Sequence, residues 1–234
     1  MPMIISGRRE DFKRIIGVNF KGVIFDLDGT LLDTLADIGN SMNCVLERHG
    51  FPTHHLNSYK LFVGNGAEIL VRRSIPEDRR NKEEIDKYLN EYREEYNRNW
   101  NKMTRPYDGI PETLSELESS DIRLSVLSNK SQDFTEESVA AFLPDIKFEQ
   151  VIGYRVGIPA KPDPHSTLEV AKAMNLGVEQ IIYAGDTDVD MQTAVNAGMY
   201  GVGVLWGFRT GEELKKNGAK KLISHPYEIL KMVV

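Results

Sequence analysis

A single cysteine, Cys44, occurs among 234 residues. The chain therefore can form no internal disulfide and no cysteine-rich zinc site, which is compatible with a reducing cytoplasm. Long apolar runs are also missing. The N-terminal one is cut short by Arg8, Arg9, Glu10 and Asp11, below the roughly 7–15 residues of a secretory signal core. No window approaches the roughly 18 apolar residues of a membrane helix. There is no surplus of basic charge: 29 Lys plus Arg stand against 35 Asp plus Glu, a formal charge of −6. That balance argues against broad nucleic-acid binding, which needs a basic surface. Internal repeats and low-complexity tracts are absent as well. What is present, 41% hydrophobic and 27% charged residues, describes an ordinary globular chain of one domain, or one domain with a small insertion. The expected setting is cytoplasmic, without membrane or nucleic-acid partners, as monomer or homodimer. A small phosphorylated metabolite stays open as partner, because a local cluster of lysine and metal overrules net charge.

Short β-branched runs end in polar or glycine turns. Val23–Leu27 stops at Asp28-Gly29-Thr30, Ile122–Leu127 at Ser128-Asn129-Lys130, and Gln180–Ala184 at Gly185-Asp186. Tyr200–Leu205, a weaker Phe148–Ile152 and an edge segment Lys221–Ser224 complete the set. Helical patterns lie between them: Pro111–Ser119, Phe134–Phe142, Pro164–Asn175, Asp188–Ala197, Glu212–Asn217 and Tyr227–Val233. Strands alternating with helices imply an α/β fold with a parallel sheet covered on both faces. Residues 34–105 are the exception, far too long for one crossover helix. Leu35, Ile38, Met42, Val45 and Leu46 recur at helical spacing there, as do Ile85, Tyr88, Leu89, Tyr92, Tyr96 and Trp100. A helical module inserted after the first strand is the expectation, with linkers near Thr34 and Arg105–Gly109. Phe12, Ile15 and Ile16 suggest a short helix or an edge element before the first strand.

The chemistry-bearing residues fall where ligands bind in open parallel sheets, at the carboxyl ends of strands. Asp26 and Asp28 end the first, Ser128 and Asn129 the second, and Asp186 and Asp190 follow the fourth. Lys161 precedes a helix in Ala160-Lys161-Pro162-Asp163-Pro164. Carboxylates this close stay ionised together only beside a cation. Oxygen donors without cysteine or paired histidine suit Mg²⁺ before Zn²⁺. Acids, one metal, one lysine and hydroxyl donors make a site for phosphoryl transfer. Taken singly, an Asp-x-Asp at a strand end is ordinary turn chemistry and Lys161 an ordinary surface lysine. It is the four segments in order that point to function.

Those segments resemble the motifs of the haloacid dehalogenase superfamily. Val23-Ile24-Phe25-Asp26-Leu27-Asp28-Gly29-Thr30 is similar to the first, Ser128-Asn129-Lys130 to the second, Lys161-Pro162-Asp163-Pro164 to the third and Gly185-Asp186-Thr187-Asp188-Val189-Asp190 to the fourth. The resemblance implies a Rossmann-like parallel-sheet core, residues 1–33 and 106–234, with a helical cap domain, residues 34–105, inserted after the first strand. It implies a Mg²⁺-dependent phosphatase in which Asp26 is the nucleophile that becomes an aspartyl-phosphate, and Asp28 the acid and base. Mg²⁺ is then held by Asp26, Asp186 and the backbone carbonyl of Asp28, with Asp190 completing the metal site directly or through water. Thr30, Ser128, Asn129 and Lys161 bind the phosphoryl group. Asp28 excludes the dehalogenases themselves, which lack this second acid. Leu61-Phe62-Val63-Gly64-Asn65-Gly66-Ala67 resembles the cap loop of bacterial phosphoglycolate phosphatases, so Gly64, Asn65 and Gly66 are candidate substrate residues and 2-phosphoglycolate the first candidate substrate. Phosphatases of the same fold acting on pyrophosphate, nucleotides or sugar phosphates are the alternative, with a phosphomutase or a non-catalytic phosphate sensor behind them.

Other residues read as structural. His54 and His55 suit a solvated loop, and Arg72, Arg73, Arg79 and Arg80 suit solvated faces, with one of Arg72 and Arg73 still able to reach a substrate carboxylate from the cap. His165 fits a first helical turn. Cys44 is expected in buried packing and the Tyr92, Tyr96, Trp100 stripe in the core of the cap; Asp188 fits either the metal neighbourhood or a cap of the following helix.

Overall fold

The apolar runs pair into one sheet in the computed structural model, which describes residues 19–233. The expectation for Phe12, Ile15 and Ile16 lies outside the described residues. Six parallel strands form the sheet: β1 (Gly22–Phe25), β4 (Arg123–Ser131), β5 (Gln150–Tyr154), β6 (Ile181–Gly185), β7 (Tyr200–Val204) and β8 (Lys221–Ile223). Their order is β5-β4-β1-β6-β7-β8. The chain leaves β1 for β4 on one side and later reaches β6 on the other. The sheet thus reverses direction beside β1, and a crevice opens at the carboxyl ends of β1, β4 and β6. Side chains alternate as the strand period of two requires: Val23 and Phe25 enter one core layer, Ile24 the other. Helices α5 (Ile110–Ser119), α6 (Gln132–Phe142), α7 (His165–Ala173), α8 (Asp188–Ala197) and α9 (Gly211–Lys216) cover the faces.

Two boundaries differ from expectation. β4 runs on through Ser128-Asn129-Lys130 to Ser131 rather than stopping at Leu127, so successive residues of that motif point to opposite sides. The segment Tyr227–Val233 is not an α-helix; Pro226–Lys231 forms a tight 3₁₀ turn, in keeping with Pro226 at its start.

Residues between β2 (Leu32–Asp33) and β3 (Arg105–Pro106) fold into four helices: α1 (Leu35–Arg48), α2 (Leu56–Phe62), α3 (Ala67–Ser74) and α4 (Lys82–Asn99). They enclose a second apolar core built on Met42, Leu46, Tyr59, Val71 and Ile85. Asn81 caps α4 by accepting the Glu84 N–H at 3.0 Å. β2 and β3 pair antiparallel, so the two crossings lie side by side. Asp37, buried in α1, locks them: its carboxylate accepts the N–H groups of Met103 and Thr104 and the Thr104 hydroxyl at 2.8–3.1 Å. Replacing it strands several buried donors at once. Asp37→Ala is expected to cost about 3 kcal/mol of stability, read as a lower midpoint in urea unfolding, while Asp33→Ala, whose Arg105 pair is solvent-exposed, costs under about 1 kcal/mol.

Three structural expectations are corrected. Cys44 is exposed, because it stands two residues from buried Met42, on the far side of α1. His54 is no solvated loop residue: its Nε2 meets the Ser74 carbonyl at 2.7 Å, and its ring packs edge-on against Phe62. The aromatic stripe of α4 does more than fill the cap core. Trp100 reaches Phe142 of α6, and Tyr92 and Tyr96 face the crevice.

Candidate active site

Asp26 is the first residue past β1, and its N–H still donates to the Ala184 carbonyl of β6 at 2.9 Å. The chain then turns tightly: the Leu27 carbonyl accepts the N–H groups of Thr30, Leu31 and Leu32. Gly29 makes that turn possible in two ways. Its φ is +87°, and a Cβ there would strike the Asp186 carboxylate. Asp186 follows β6 and is fully buried, accepting the Thr30 hydroxyl at 2.9 Å and the Phe208 N–H at 2.8 Å. Asp190 lies in the first turn of α8, where Thr187 caps the helix. Its Oδ2 accepts the Thr187 N–H and hydroxyl at 3.0 and 2.6 Å.

Lys161 joins these acids. Its ammonium donates to Asp26 Oδ1 at 2.8 Å, Asp190 Oδ1 at 2.7 Å and the Leu127 carbonyl at 3.1 Å. All three of its donors are thereby used. Burial, with Asp190 close by, pushes the Asp26 carboxyl up to about 7 against the opposing pull of Lys161. Burial, then Asp190 and Asp26, raise Asp186 well above the carboxylate range. Burial works against the Lys161 charge, but Asp190 and Asp26 outweigh it and hold the ammonium well above its usual value. One ammonium thus faces three buried carboxylates. Asp26, Asp186 and Asp190 each offer an oxygen within 4.8 Å of the others, a cluster that could hold a metal ion. Hard oxygen donors with uncompensated negative charge fit a divalent cation.

The other candidate residues divide. Ser128 is buried at the crevice and keeps its hydroxyl proton free to donate. Gly64, Asn65 and Gly66 line the same crevice; Gly64, with φ +116°, has Thr187 nearest its absent Cβ, at 3.3 Å. Two side chains, Thr30 and Asn129, are placed differently from expectation. Thr30 turns its hydroxyl to Asp186 and orients that acid rather than a phosphate. Asn129 spends its whole amide as a brace, donating to the carbonyls of Gly64 and Lys161 and accepting the Lys161 N–H. The Asp28 carboxylate stands outside the three-acid cluster, paired with Lys130 at 3.0 Å. Asp188 opens α8 without capping it and lies 3.8 Å from Arg209.

Lys130, Tyr96, Phe208 and Arg209 are site residues that sequence reasoning passed over. Lys130 stood inside the second motif, but a strand expected to end at Leu127 left its direction open. Arg209, 8% exposed, donates to the carbonyls of Lys60 and Val63 at the end of α2 and pairs with Glu213. It ties the loop after β7 to the helical insertion. A cavity of about 680 Å³ lies between sheet and insertion. Its floor holds Asp26, Asp28 and Ser128, and its roof holds Ile38, Leu89, Tyr92 and Tyr96.

A parallel sheet with three buried acids, two of them sharing one lysine, under a helical roof, fits a hydrolase of the phosphatase type. The comparisons agree: the family description "Haloacid dehalogenase-like hydrolase" matches residues 23–204, and the chain belongs to that family. Within it, the chain resembles phosphoglycolate phosphatases. The enzyme of that name from Pseudomonas syringae pv. tomato is 30% identical over 226 residues, 91% of this chain and 80% of that one. The one from Aquifex aeolicus is 26% identical, with 90% and 95% covered. Among solved structures, a predicted phosphoglycolate phosphatase from Haemophilus somnus superposes with a TM-score of 0.83 at 26% identity, covering 91% of this chain and 97% of that one. A haloacid dehalogenase-like family hydrolase from Streptococcus pneumoniae, at 24% identity and a TM-score of 0.81 over 90% and 97%, shares the fold. No helix among the described residues is long and apolar enough to cross a membrane.

Proposed function

We propose that the chain hydrolyses a small phosphomonoester, 2-phosphoglycolate first among candidates, through an aspartyl-phosphate on Asp26. The observation that carries this is the placement of Asp26 Oδ1 against Lys161, beside Asp186 and Asp190, on the floor of the cavity. The residues divide into a catalytic core, 1–33 and 106–234, and a cap, 34–105, whose roof encloses the substrate, a cytoplasmic metabolite. An Asp26 oxygen attacks phosphorus, the ester P–O bond breaks, and the leaving oxygen takes a proton from Asp28. Asp28, now a carboxylate, removes a proton from water; that water attacks the same phosphorus and releases inorganic phosphate and the Asp26 carboxylate. Ser128 donates to a phosphoryl oxygen. Lys161 holds Asp26 in place and offsets its charge. Mg²⁺ bound by Asp26, Asp186 and the Asp28 carbonyl supplies charge neutralisation at the phosphoryl oxygens. Asp190, with both oxygens engaged by Lys161 and Thr187, serves chiefly as the anchor of Lys161.

The direct test is phosphate release from 2-phosphoglycolate, sugar phosphates, nucleotides and pyrophosphate, with Mg²⁺ and with EDTA. Release led by 2-phosphoglycolate in kcat/KM and lost with EDTA is the expected result. A different leading ester would remove the substrate assignment, and metal-independent release would remove the cofactor.

The metal also predicts a pH effect. In the folded state Asp26 titrates at about 7, against about 3.9 in an unfolded chain. Between those values the folded metal-free protein holds a proton that the unfolded chain has released. The contribution of Asp26 to stability therefore falls as pH rises from about 4 to 7. A cation replaces that proton. Mg²⁺ is expected to raise the melting temperature clearly at pH 8 and little at pH 5, measured by thermal shift.

A further inference from the structure

The cavity holds one cation beside Asp28 that the steps above leave unused. Lys130 extends from β4 with its side chain only 7% exposed, and its ammonium meets Asp28 Oδ1 at 3.0 Å and Oδ2 at 3.3 Å. It also donates to the Tyr96 hydroxyl of α4 at 2.6 Å. An ammonium has three N–H donors. The two Asp28 oxygens subtend far less than the tetrahedral angle between N–H bonds, so they share one donor. Tyr96 takes a second. The third has no acceptor among the described residues, and Lys130 lines the cavity.

Position gives this donor its meaning. A leaving oxygen that takes a proton from Asp28 must come within hydrogen-bond distance of it, about 2.6–3.2 Å. In 2-phosphoglycolate that oxygen is separated from the carboxylate by one methylene, so the carboxylate falls next to Asp28. There, inside the cavity and largely out of water, an anion needs a cation to face it. Lys130 stands at that place, touching Asp28 and steadied by Tyr96 from the cap. Of the other residues lining the cavity, Ile38, Leu89 and Phe134 offer an anion no donor; the Tyr92 hydroxyl and Arg93 line it too, but only Lys130 is bonded to Asp28.

We infer that Lys130 reads the carboxylate of the substrate, so that the preferred esters are α-phosphooxy carboxylates, with Tyr96 holding the ammonium in position from the cap. This rests on the reading of Asp26 as nucleophile and Asp28 as acid. It adds the group that selects the leaving part of the substrate.

The test compares 2-phosphoglycolate with its neutral amide, two esters of nearly the same shape, in the wild type, Lys130→Met and Tyr96→Phe. The readout is the ratio of kcat/KM for acid over amide within each protein, which cancels any loss common to both esters. The wild type is expected to favour the acid, mainly through KM. Lys130→Met is expected to reduce the ratio about 10- to 100-fold, the size of one charge-assisted hydrogen bond. Tyr96→Phe, which keeps the ring and the cap core, is expected to reduce it about 5-fold and carries the test if Lys130→Met fails to fold. A ratio unchanged in the variants overturns the inference. A wild type that hydrolyses both esters equally overturns it too, while leaving the phosphatase reading intact. A wild type that hydrolyses neither ester, nor any other phosphoester, overturns both.

Discussion

Asp26→Asn is expected to abolish phosphate release, by about 10⁴-fold or more, in a protein that remains folded. The amide is nearly the size of the carboxylate and can still accept from Lys161, so packing around β1 is kept. What is lost is the nucleophilic oxygen anion. The side chain is also held in the site at an electrostatic cost, since burial and Asp190 push its carboxyl up to about 7. Removing that charge relieves repulsion in the metal-free protein. A melting temperature at pH 8 equal to or above that of the wild type is therefore expected without metal, together with a smaller response to Mg²⁺. Circular dichroism, thermal melts and single-turnover phosphate release check the three parts. A variant that still turns over repeatedly would remove Asp26 as the nucleophile.

Lys161→Met should have the second largest effect, and on two quantities at once. Lys161 is the one cation bonded to Asp26 and Asp190 among the described residues. Taking its charge away while keeping its length leaves buried carboxylates facing each other. Breaking a buried pair on one side costs about 3–5 kcal/mol. Activity should fall about 10²- to 10³-fold, because Asp26 loses the donor that aims it. The stability loss should be smaller at pH 5, where the carboxyls raised by burial take up protons, than at pH 8. Urea unfolding at the two pH values measures this. An equal loss at both would show that packing, not charge, is what Lys161 contributes. Lys161→Arg retains charge but not the three-way fit to Asp26, Asp190 and the Leu127 carbonyl, and is expected to recover stability more than activity.

Much of the architecture could be read along the chain because each signal is local. A short apolar, β-branched run punctuated by polar or glycine residues reads as a strand wherever it lies, and six such runs became the six strands of the sheet. The helical text of residues 34–105 likewise became four helices between β2 and β3. The acids were visible for the same reason: Asp26, Asp186 and Asp190 each end or follow a strand, and strand ends converge in a parallel sheet. Misreadings arose where facing decides the outcome. Cys44 sits among apolar neighbours in sequence and on the opposite side of the helix in space. Thr30 and Asn129 carry groups suited to phosphate but use them on Asp186, Gly64 and Lys161.

Sequence alone thus determined the α/β class, the inserted helical segment and the acids and lysine of the centre, because strand and helix periods and turn chemistry act over a few residues. Tertiary structure decided which groups meet. Lys161 and Asp26 are 135 positions apart, and Lys130 and Asp28 are 102 apart. Tyr96 reaches Lys130 only because the insertion folds back over the sheet. Such pairings depend on register, side-chain direction and the seating of one core on another. Those are set by packing of the whole chain, and they separate the acids that form the cluster from Asp28, which stands beside it with Lys130.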